Sequence, residues 1–239
     1  NVLKNSDIIF CENTKNSTKL FKKYSIEARC HKYTDHDFDR KKDEILQKLK
    51  QKKIISLISD SGSPLISDPG NQLINFLCKN YVKIFSIPGP SALISGIQLS
   101  GFLNKKNFSF LGFLPKKTSQ KISILETHFN NNLVIYTTKQ QLEKDIEAVV
   151  AVAEKFEIII LKELTKMFEE RIYISHENHK SIDLHVVKGE LVLAVNLISS
   201  SQKQEELSLE YISKIVSEMG VKKAYQVVKT KYKISRNKF

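Results

Sequence analysis

Two stiff, polar turns hold the residues best suited to bind a small ligand. The first turn, residues 60–70, reads DSGSPLISDPG, and the second, residues 88–91, reads PGPS. All five prolines lie between positions 64 and 115, and six of the eight glycines lie between positions 62 and 112. Proline fixes φ and glycine permits a positive φ, so together they control the path of the backbone. This concentration indicates a place where the chain comes close to a ligand.

The two aspartates of the first turn have different predicted roles. Asp60 follows an apolar run, and a carboxylate at the end of a strand can accept hydrogen bonds from a ribose or an amino group. That chemistry suits a nucleoside-like ligand; the alternative is that Asp60 only accepts bonds from amides of its own loop. Asp68 precedes Pro69, a pair typical of the N-cap and first position of a helix.

Common nucleotide and hydrolase motifs are absent from the sequence. It contains no GxGxxG, no GxxxxGK[ST] and no GxSxG, which argues against an ordinary dinucleotide site, a Walker phosphate loop and an α/β-hydrolase nucleophile. Motif spacing alone therefore leaves the class of cofactor open.

Short apolar strands alternate with longer amphipathic helices, a pattern typical of parallel α/β sheets. The first half predicts strands at 7–11, 54–58 and 82–87 and helices around 45–49, 73–81 and 92–99. The second half predicts strands at 133–136, 157–161 and 191–195 and a helix around 146–150. In open parallel sheets, ligands bind outside the carboxyl ends of the strands, which is where both stiff turns fall.

The chain divides into three predicted units. They are an N-terminal α/β domain at 1–113, a second α/β domain at 114–200, and a basic tail at 201–239 that forms a small helical hairpin. The first boundary falls in the stretch GFLPKK at 112–117, where glycine, proline and paired lysines interrupt the pattern.

The charge balance favours anionic partners. The 239 residues include 38 Lys and Arg against 26 Asp and Glu, a net charge of +12, although a lysine-rich composition unrelated to function is the alternative. Cys11, Cys30 and Cys78 are widely spaced, which predicts reduced, packed cysteines and no metal site. No apolar run is long enough to span a bilayer, so we expect a cytoplasmic protein without membrane contact.

The two turns together resemble those of the 16S rRNA cytidine 2′-O-methyltransferase family, a branch of the tetrapyrrole (corrin/porphyrin) methylase superfamily. Its members typically show Asp-Ala-Gly-Thr-Pro-Leu-Ile-Ser-Asp-Pro-Gly followed by Pro-Gly-Pro-Ser-Ala, which the sequence matches at 60–70 and 88–92. Further stretches are similar to family motifs at 11–15, 112–116, 162–166 and 188–190.

This resemblance implies a fold, a cofactor and a substrate. It implies two α/β domains that form a cleft around S-adenosylmethionine, a small C-terminal helical module of helix-turn-helix type at 201–239, and a homodimer that methylates 16S rRNA of the small ribosomal subunit. Carried over by position, the cofactor-binding residues would be Asp60, Gly62, Ser63, Pro64, Ser91, Ala92, Tyr136 and Thr137. The general base stays unassigned, with Glu12 and His36 as candidates that could equally be structural.

The sequence also departs from the family. The family's first strand and its Pro-Ile-Gly-Asn-Leu loop do not occur in the sequence, so we expect the domain at 1–113 to begin after that strand; either the sequence is a fragment or activity is impaired. Residues 137–141 read TTKQQ where most members have Glu-(Ser/Ala)-Pro-His-Arg, and residues 34–37 read TDHD in place of His-Glu-His-Asn. These changes concern substrate handling more than cofactor binding.

Basic residues outside the turns are candidates for RNA contact. Residues 201–239 hold nine basic and four acidic side chains, which suits phosphate binding, although a solvated lysine face is the alternative. The candidate RNA contacts are Lys15, Lys166, Lys222, Lys223 and Lys229. Two rival functions stay open: a methylase of a corrin or porphyrin, which would need no RNA-binding tail, and a degenerate RNA-binding protein without activity.

Overall fold

Two β-sheets with flanking helices make up the described part of the chain. In the computed structural model the described residues are 1–102, 107–198 and six positions of the C-terminal stretch, namely 216, 217, 220, 221, 224 and 225. The predicted tail, with Lys222, Lys223 and Lys229, therefore lies outside the described residues apart from those six positions. Within the described ranges, no helix combines the length and the hydrophobicity that a bilayer crossing requires.

The first sheet has three parallel strands in the order β2-β1-β3. Its strands are β1 (Ile8–Cys11), β2 (Arg29–Lys32) and β3 (Ile55–Ile58), and its helices are α1 (Thr14–Tyr24), α2 (Phe38–Lys50) and α3 (Asn71–Lys79). The central strand β1 reads IIFC and is buried along its whole length. It is apolar at every position because neighbouring strands flank it and side chains on both of its faces are buried. The carboxyl ends of β1 and β3 thus lie side by side.

The second sheet has five strands in the order β4-β5-β8-β6-β7. They are β4 (Phe108–Phe113), β5 (Asn132–Thr137), β6 (Lys155–Lys162), β7 (Glu170–Ser175) and β8 (Leu191–Ile198). Only β4 and β5 pair in parallel, whereas the β5–β8, β8–β6 and β6–β7 pairs are antiparallel. The sheet is mixed, so the α/β pattern of the sequence did not reveal its strand directions.

Helices cover both faces of the second sheet. On one face lie α5 (Thr118–Thr127) and α6 (Lys139–Val152), packed on alternate residues of β5, β6 and β8. The other face holds α4 (Ala92–Ser100), packed on the intervening residues. Because α4 and β4 precede position 113 but belong to the second sheet, the predicted boundary at 113/114 separates β4 from its partner β5.

A strand was wrongly predicted at residues 82–87. These residues form no strand, and Phe85 and Ile87 are 70% and 63% exposed. The physical reason is that strand residues need a neighbour for their main-chain hydrogen bonds. Among the described residues β3 pairs only with β1, and no strand lies beside 82–87.

Two smaller predictions on this side of the molecule also failed. Tyr81 was placed on the buried face of a helix, but α3 ends at Lys79, and Tyr81 takes a positive φ and is 97% exposed. Cys78 was expected to be packed and is exposed, whereas Cys11 is buried. The spacing of apolar residues in a sequence does not show where a short helix ends.

A buried ion pair lies between α5 and α6. Lys121 and Asp145 are within ion-pair contact, with side chains 0% and 2% exposed. Lys121 also donates to Gln141 Oε1 at 3.3 Å, and Asp145 accepts a hydrogen bond from Thr137 at the end of β5. No other described residue forms an ion pair with Lys121 or Asp145, so removal of one charge leaves the other buried without its ionic partner.

We predict that Asp145→Ala lowers the free energy of unfolding by about 3–5 kcal/mol, because it leaves the Lys121 ammonium buried in the core without its carboxylate partner. Urea denaturation of the two proteins measures the difference. The control is Glu44→Ala, which breaks the solvent-exposed Lys48–Glu44 pair of α2 (3.5 Å) and should cost about 0.5 kcal/mol or less. Equal effects of the two substitutions would contradict this assignment.

Candidate active site

A cavity of about 380 Å³ lies where the two stiff turns meet the second sheet. The chain segments that line it are 61–63, 66–68, 90–92, 136–138, 164–166 and 189–192, together with Ser95 and Phe113. They come from the turn after β3, the start of α4, the end of β5, and the turns that follow β6 and precede β8. The cavity thus draws on both halves of the chain.

The two stiff turns are bonded to each other. Ser63 Oγ donates to the carbonyl oxygen of Pro90 at 3.0 Å. Gly62 has a φ of +71°, and a Cβ added there would stand 3.9 Å from the same Pro90 carbonyl. The positive φ, which costs a side-chain-bearing residue more than glycine, is the conformation that the sequence predicted for this turn.

Asp60 does not line the cavity. Its carboxylate accepts hydrogen bonds from the main-chain N–H of Asn13 at 3.2 Å and from Asn16 Nδ2 at 2.8 Å, so it is bound to the first turn of α1. This arrangement is close to the structural alternative considered for Asp60, with the amides supplied by α1. Pro64 also lies outside the cavity lining.

Asp68 lines the cavity, and its predicted role as a helix cap was wrong. Helix α3 begins at Asn71, and its N-cap is Gly70 with a φ of +126°. The Gly70 N–H donates to Asp35 Oδ1 at 2.8 Å, so a carboxylate from outside the turn anchors its end. Burial raises the pKa of the Asp68 carboxyl, and the negative charges of Glu12 and Asp60 raise it further.

The end of β5 closes the cavity against α4. The Tyr136 hydroxyl accepts a hydrogen bond from the Leu93 N–H at 3.1 Å, at the start of α4. Its ring packs edge-on against Phe110 and Phe113, with centroid separations of 4.8 and 5.8 Å. Burial raises the pKa of Tyr136, and the charge of Asp68 adds to the shift.

Ser91 caps α4 by position, but its side chain makes no capping hydrogen bond. Its hydroxyl is therefore available to a ligand in the cavity, next to Ala92. Thr137, at the end of β5, is buried and donates to Asp145. The structure thus brings together six of the eight predicted cofactor residues, namely Gly62, Ser63, Ser91, Ala92, Tyr136 and Thr137.

Lys166 lies in the cavity wall and is bound by two glutamates. Its Nζ lies 3.2 Å from Glu163 Oε1 and 3.0 Å from Glu190 Oε2. Sequence reasoning did not identify the two glutamates as a group, because they are 27 positions apart and meet only when the turns before β7 and β8 come together. The base candidates Glu12 and His36 are both outside the cavity lining.

The comparisons with known proteins agree with this architecture. Residues 1–178 match the family model for tetrapyrrole (corrin/porphyrin) methylases. The chain belongs to this family. The resemblance inferred from the two turns is confirmed, and the mixed two-sheet fold is that of the family.

Curated relatives carry the name ribosomal RNA small subunit methyltransferase I. The protein of that name from Rickettsia prowazekii is 36% identical over 200 residues, which cover 81% of this chain and 70% of the relative. The one from Leptospira biflexa is 33% identical over 205 residues, covering 84% and 85%.

Solved structures of more distant proteins share the fold. A cobalt precorrin-4 methyltransferase superposes with a TM-score of 0.59 at 10% identity, covering 82% of this chain and 85% of that one. A uroporphyrin-III C-methyltransferase from Thermus thermophilus, solved with S-adenosylhomocysteine, gives a TM-score of 0.53 at 13% identity, with coverages of 82% and 87%.

We predict that Tyr136→Phe lowers the free energy of unfolding by about 1 kcal/mol, because it leaves the Leu93 N–H without its acceptor. Chemical denaturation provides the measurement. Tyr173→Phe is the matched control, since Tyr173 is exposed and its hydroxyl donates to Glu157 Oε1 at 3.2 Å. Loss of this bond should cost about 0.5 kcal/mol or less. A larger effect at Tyr173 than at Tyr136 would show that the bond to α4 contributes little.

Proposed function

We propose that the protein transfers a methyl group from S-adenosylmethionine to the 2′-hydroxyl of a cytidine ribose in 16S rRNA. The observation that carries this proposal is the junction of the two family turns, bonded through Ser63 and Pro90, at a cavity closed by Tyr136. The names of the curated relatives support small-subunit rRNA as the substrate. The proposal includes a cytoplasmic homodimer, with the cofactor in a cleft between the domains at 1–113 and 114–200 and the tail at 201–239 as a helical RNA-binding module.

The cavity residues fit the cofactor chemically. Its volume of about 380 Å³ lies within the roughly 300–1,000 Å³ typical of small-molecule sites. Ile66, Leu164 and the half-exposed ring of Phe113 offer apolar surface for an adenine. The hydroxyls of Ser63 and Ser91 offer hydrogen bonds, and the N-terminus of α4 favours a carboxylate such as that of the methionine moiety. When bound, this cofactor supplies an activated methyl group.

In this proposal the predicted cofactor residues divide into two groups. The residues that would contact the cofactor are Gly62, Ser63, Ser91, Ala92, Tyr136 and Thr137. Asp60 and Pro64 would hold the first turn in place, Asp60 through its two bonds to α1.

Methyl transfer to purified small ribosomal subunits tests the proposal directly. Subunits that lack the modification, incubated with the protein and tritiated S-adenosylmethionine, should acquire label at one cytidine whose 3′ phosphodiester resists alkaline hydrolysis. Binding of S-adenosylmethionine without transfer would favour a small corrin-type or porphyrin-type substrate. Absence of binding would favour the degenerate RNA-binding protein.

We predict that Ala92→Trp weakens binding of S-adenosylmethionine by at least about tenfold, or about 1.4 kcal/mol, because the indole would occupy the cavity. Isothermal titration calorimetry gives the affinity. Ile94→Trp is the matched control on the same helix, since Ile94 is 49% exposed and lies outside the cavity lining. If both variants bind as the unmodified protein does, the cofactor lies elsewhere.

Lysines of α1 suit phosphate contact better than those of α2. Helix α1 has no acidic residue, and its four lysines, Lys15, Lys19, Lys22 and Lys23, are all exposed. Within the described ranges none of the four forms an ion pair, whereas Lys41, Lys42 and Lys48 of α2 each pair with a carboxylate. An unpaired lysine can neutralise a phosphate without first losing a partner.

We propose that the α1 lysines, with Lys15 nearest the bond from α1 to Asp60, bind the backbone of the rRNA. Lys166 is a weaker candidate for phosphate contact because two glutamates already hold its ammonium. Lys222, Lys223 and Lys229 remain proposed contacts of the tail.

We predict that Lys15→Glu/Lys19→Glu weakens RNA binding and reduces the slope of log affinity against log salt by about 1 per lost phosphate contact. Fluorescence anisotropy with a labelled rRNA fragment across a salt series provides the slope. Lys42→Glu/Lys48→Glu on α2 is the control of equal charge change and should reduce the slope less. Affinity for S-adenosylmethionine should be unchanged in both variants, and an equal loss of slope in both would remove α1 from the interface.

A further inference from the structure

The cavity contains one carboxylate that no cation balances. Its acidic lining residues, within the described part of the chain, are Asp68 and Glu190. Glu190 forms an ion pair with Lys166 at 3.0 Å. Asp68 forms no ion pair with any described lysine, arginine or histidine. It accepts a hydrogen bond from Ser59, and the further lone pairs of its carboxylate can accept a proton or a hydrogen bond from a ligand.

The backbone holds Asp68 at the cavity at an energetic cost. Ser67, directly before it, has a φ of +65°, and Leu65 has a φ of +71°. Left-handed conformations at residues other than glycine are energetically unfavourable and cluster at functional sites. The bond from the Gly70 N–H to Asp35 fixes the far end of the turn. A helix cap at Asp68 would not need this strain, because a cap residue adopts ordinary extended backbone.

The surroundings of Asp68 favour its protonated form more than water does. Burial raises the pKa of Asp68, the charges of Glu12 and Asp60 raise it further, and a hydrogen bond from Ser59 lowers it. The Tyr136 phenol and the Lys166–Glu190 pair line the same cavity. A carboxylate of raised pKa is a stronger base than a free aspartate and remains ionised at pH values above that pKa.

We propose that Asp68 is the proton acceptor for the ribose 2′-hydroxyl, an assignment that rests on the function proposed above. The hydroxyl oxygen forms a bond to the transferred methyl carbon while the carbon–sulfur bond breaks and its electron pair goes to the sulfur. The hydroxyl proton goes to an Asp68 oxygen and leaves to solvent after the transfer. Positive charge is thereby lost from sulfur, and the carboxylate is neutralised until it releases the proton.

The structure favours Asp68 over the other acid–base candidates. Glu12 and His36 lie outside the cavity lining. Glu190 is paired with Lys166, and the Tyr136 hydroxyl already accepts the Leu93 N–H. Burial also raises the pKa of Tyr136, so the phenolate that could act as a base is disfavoured.

The test compares Asp68→Asn with the unmodified protein in single-turnover methyl transfer to small ribosomal subunits over a pH range. We expect the rate to fall by about 10²- to 10⁴-fold, the size typical of a lost general base. The rate of the unmodified protein should rise with pH through the pKa of Asp68, because the carboxylate is the active form, and the variant should lack this rise. The affinities of Asp68→Asn for S-adenosylmethionine and for rRNA should stay within about twofold of those of the unmodified protein. A defect in folding or binding would lower these affinities by more.

Two further variants separate catalysis from structure. Asp68→Glu keeps the carboxylate and should recover part of the lost rate, whereas Glu12→Gln removes a neighbouring charge outside the cavity and should leave the rate within about fivefold. If the unmodified protein transfers methyl groups and Asp68→Asn matches it, the Asp68 assignment is overturned and the proposed function stands. If the unmodified protein binds S-adenosylmethionine but does not methylate small subunits, both proposals are overturned, since Asp68 then has no ribose hydroxyl to act on.

Discussion

The close packing of α4 on the second sheet is the constraint on which the site depends. A Cβ at Gly96 would stand 3.1 Å from Val192 Cγ1 and 3.3 Å from Val134 Cγ1, so only a residue without a side chain lets the helix come this near without movement of those valines. The start of the helix carries Ser91 and Ala92, and the Leu93 N–H donates to the Tyr136 hydroxyl. Both the cavity and the contact between the two halves of the chain depend on this close packing of α4 against the second sheet.

The first turn contains two carboxylates whose roles differ because they lie at different positions in the structure. Asp60 and Asp68 are eight residues apart in one stiff segment. Asp60 is bound to the first turn of α1, whereas Asp68 lines the cavity and pairs with none of the described cations. Asp60 accepts two hydrogen bonds, from the Asn13 N–H and from Asn16 Nδ2. Asp68 is half-buried and close to other negative charges, which disfavour its charged form. Asp60 thus holds one end of the turn in place, whereas Asp68, near the other end, lines the cavity and is positioned to accept a proton.

The departure from the family motif at 137–141 has a structural counterpart. Most members carry a glutamate where this chain has Thr137, and here the Thr137 hydroxyl donates to Asp145 on α6, which also holds the buried Lys121. A carboxylate therefore still stands at the end of β5, although it comes from a different element. Because the ion pair is enclosed by α5 and α6, it fixes the end of β5 where that strand enters the cavity wall.

The alternation of strands and helices, the two turns and the family could be predicted from the sequence alone, because these depend on local spacing and on residues that are contiguous in the chain. The apolar runs identified β1, β3, β5, β6 and β8, but they did not identify β2, which reads RCHK, nor β4 and β7, nor the strand directions of the second sheet. That 82–87 is not a strand became clear from the packed structure, since pairing requires a neighbour that no local pattern reveals. The tertiary structure also decided which aspartate meets the cavity and that Glu163 and Glu190 bind Lys166. Those outcomes depend on contacts between residues far apart in the chain, and such contacts are set by packing and not by the residue type at each position.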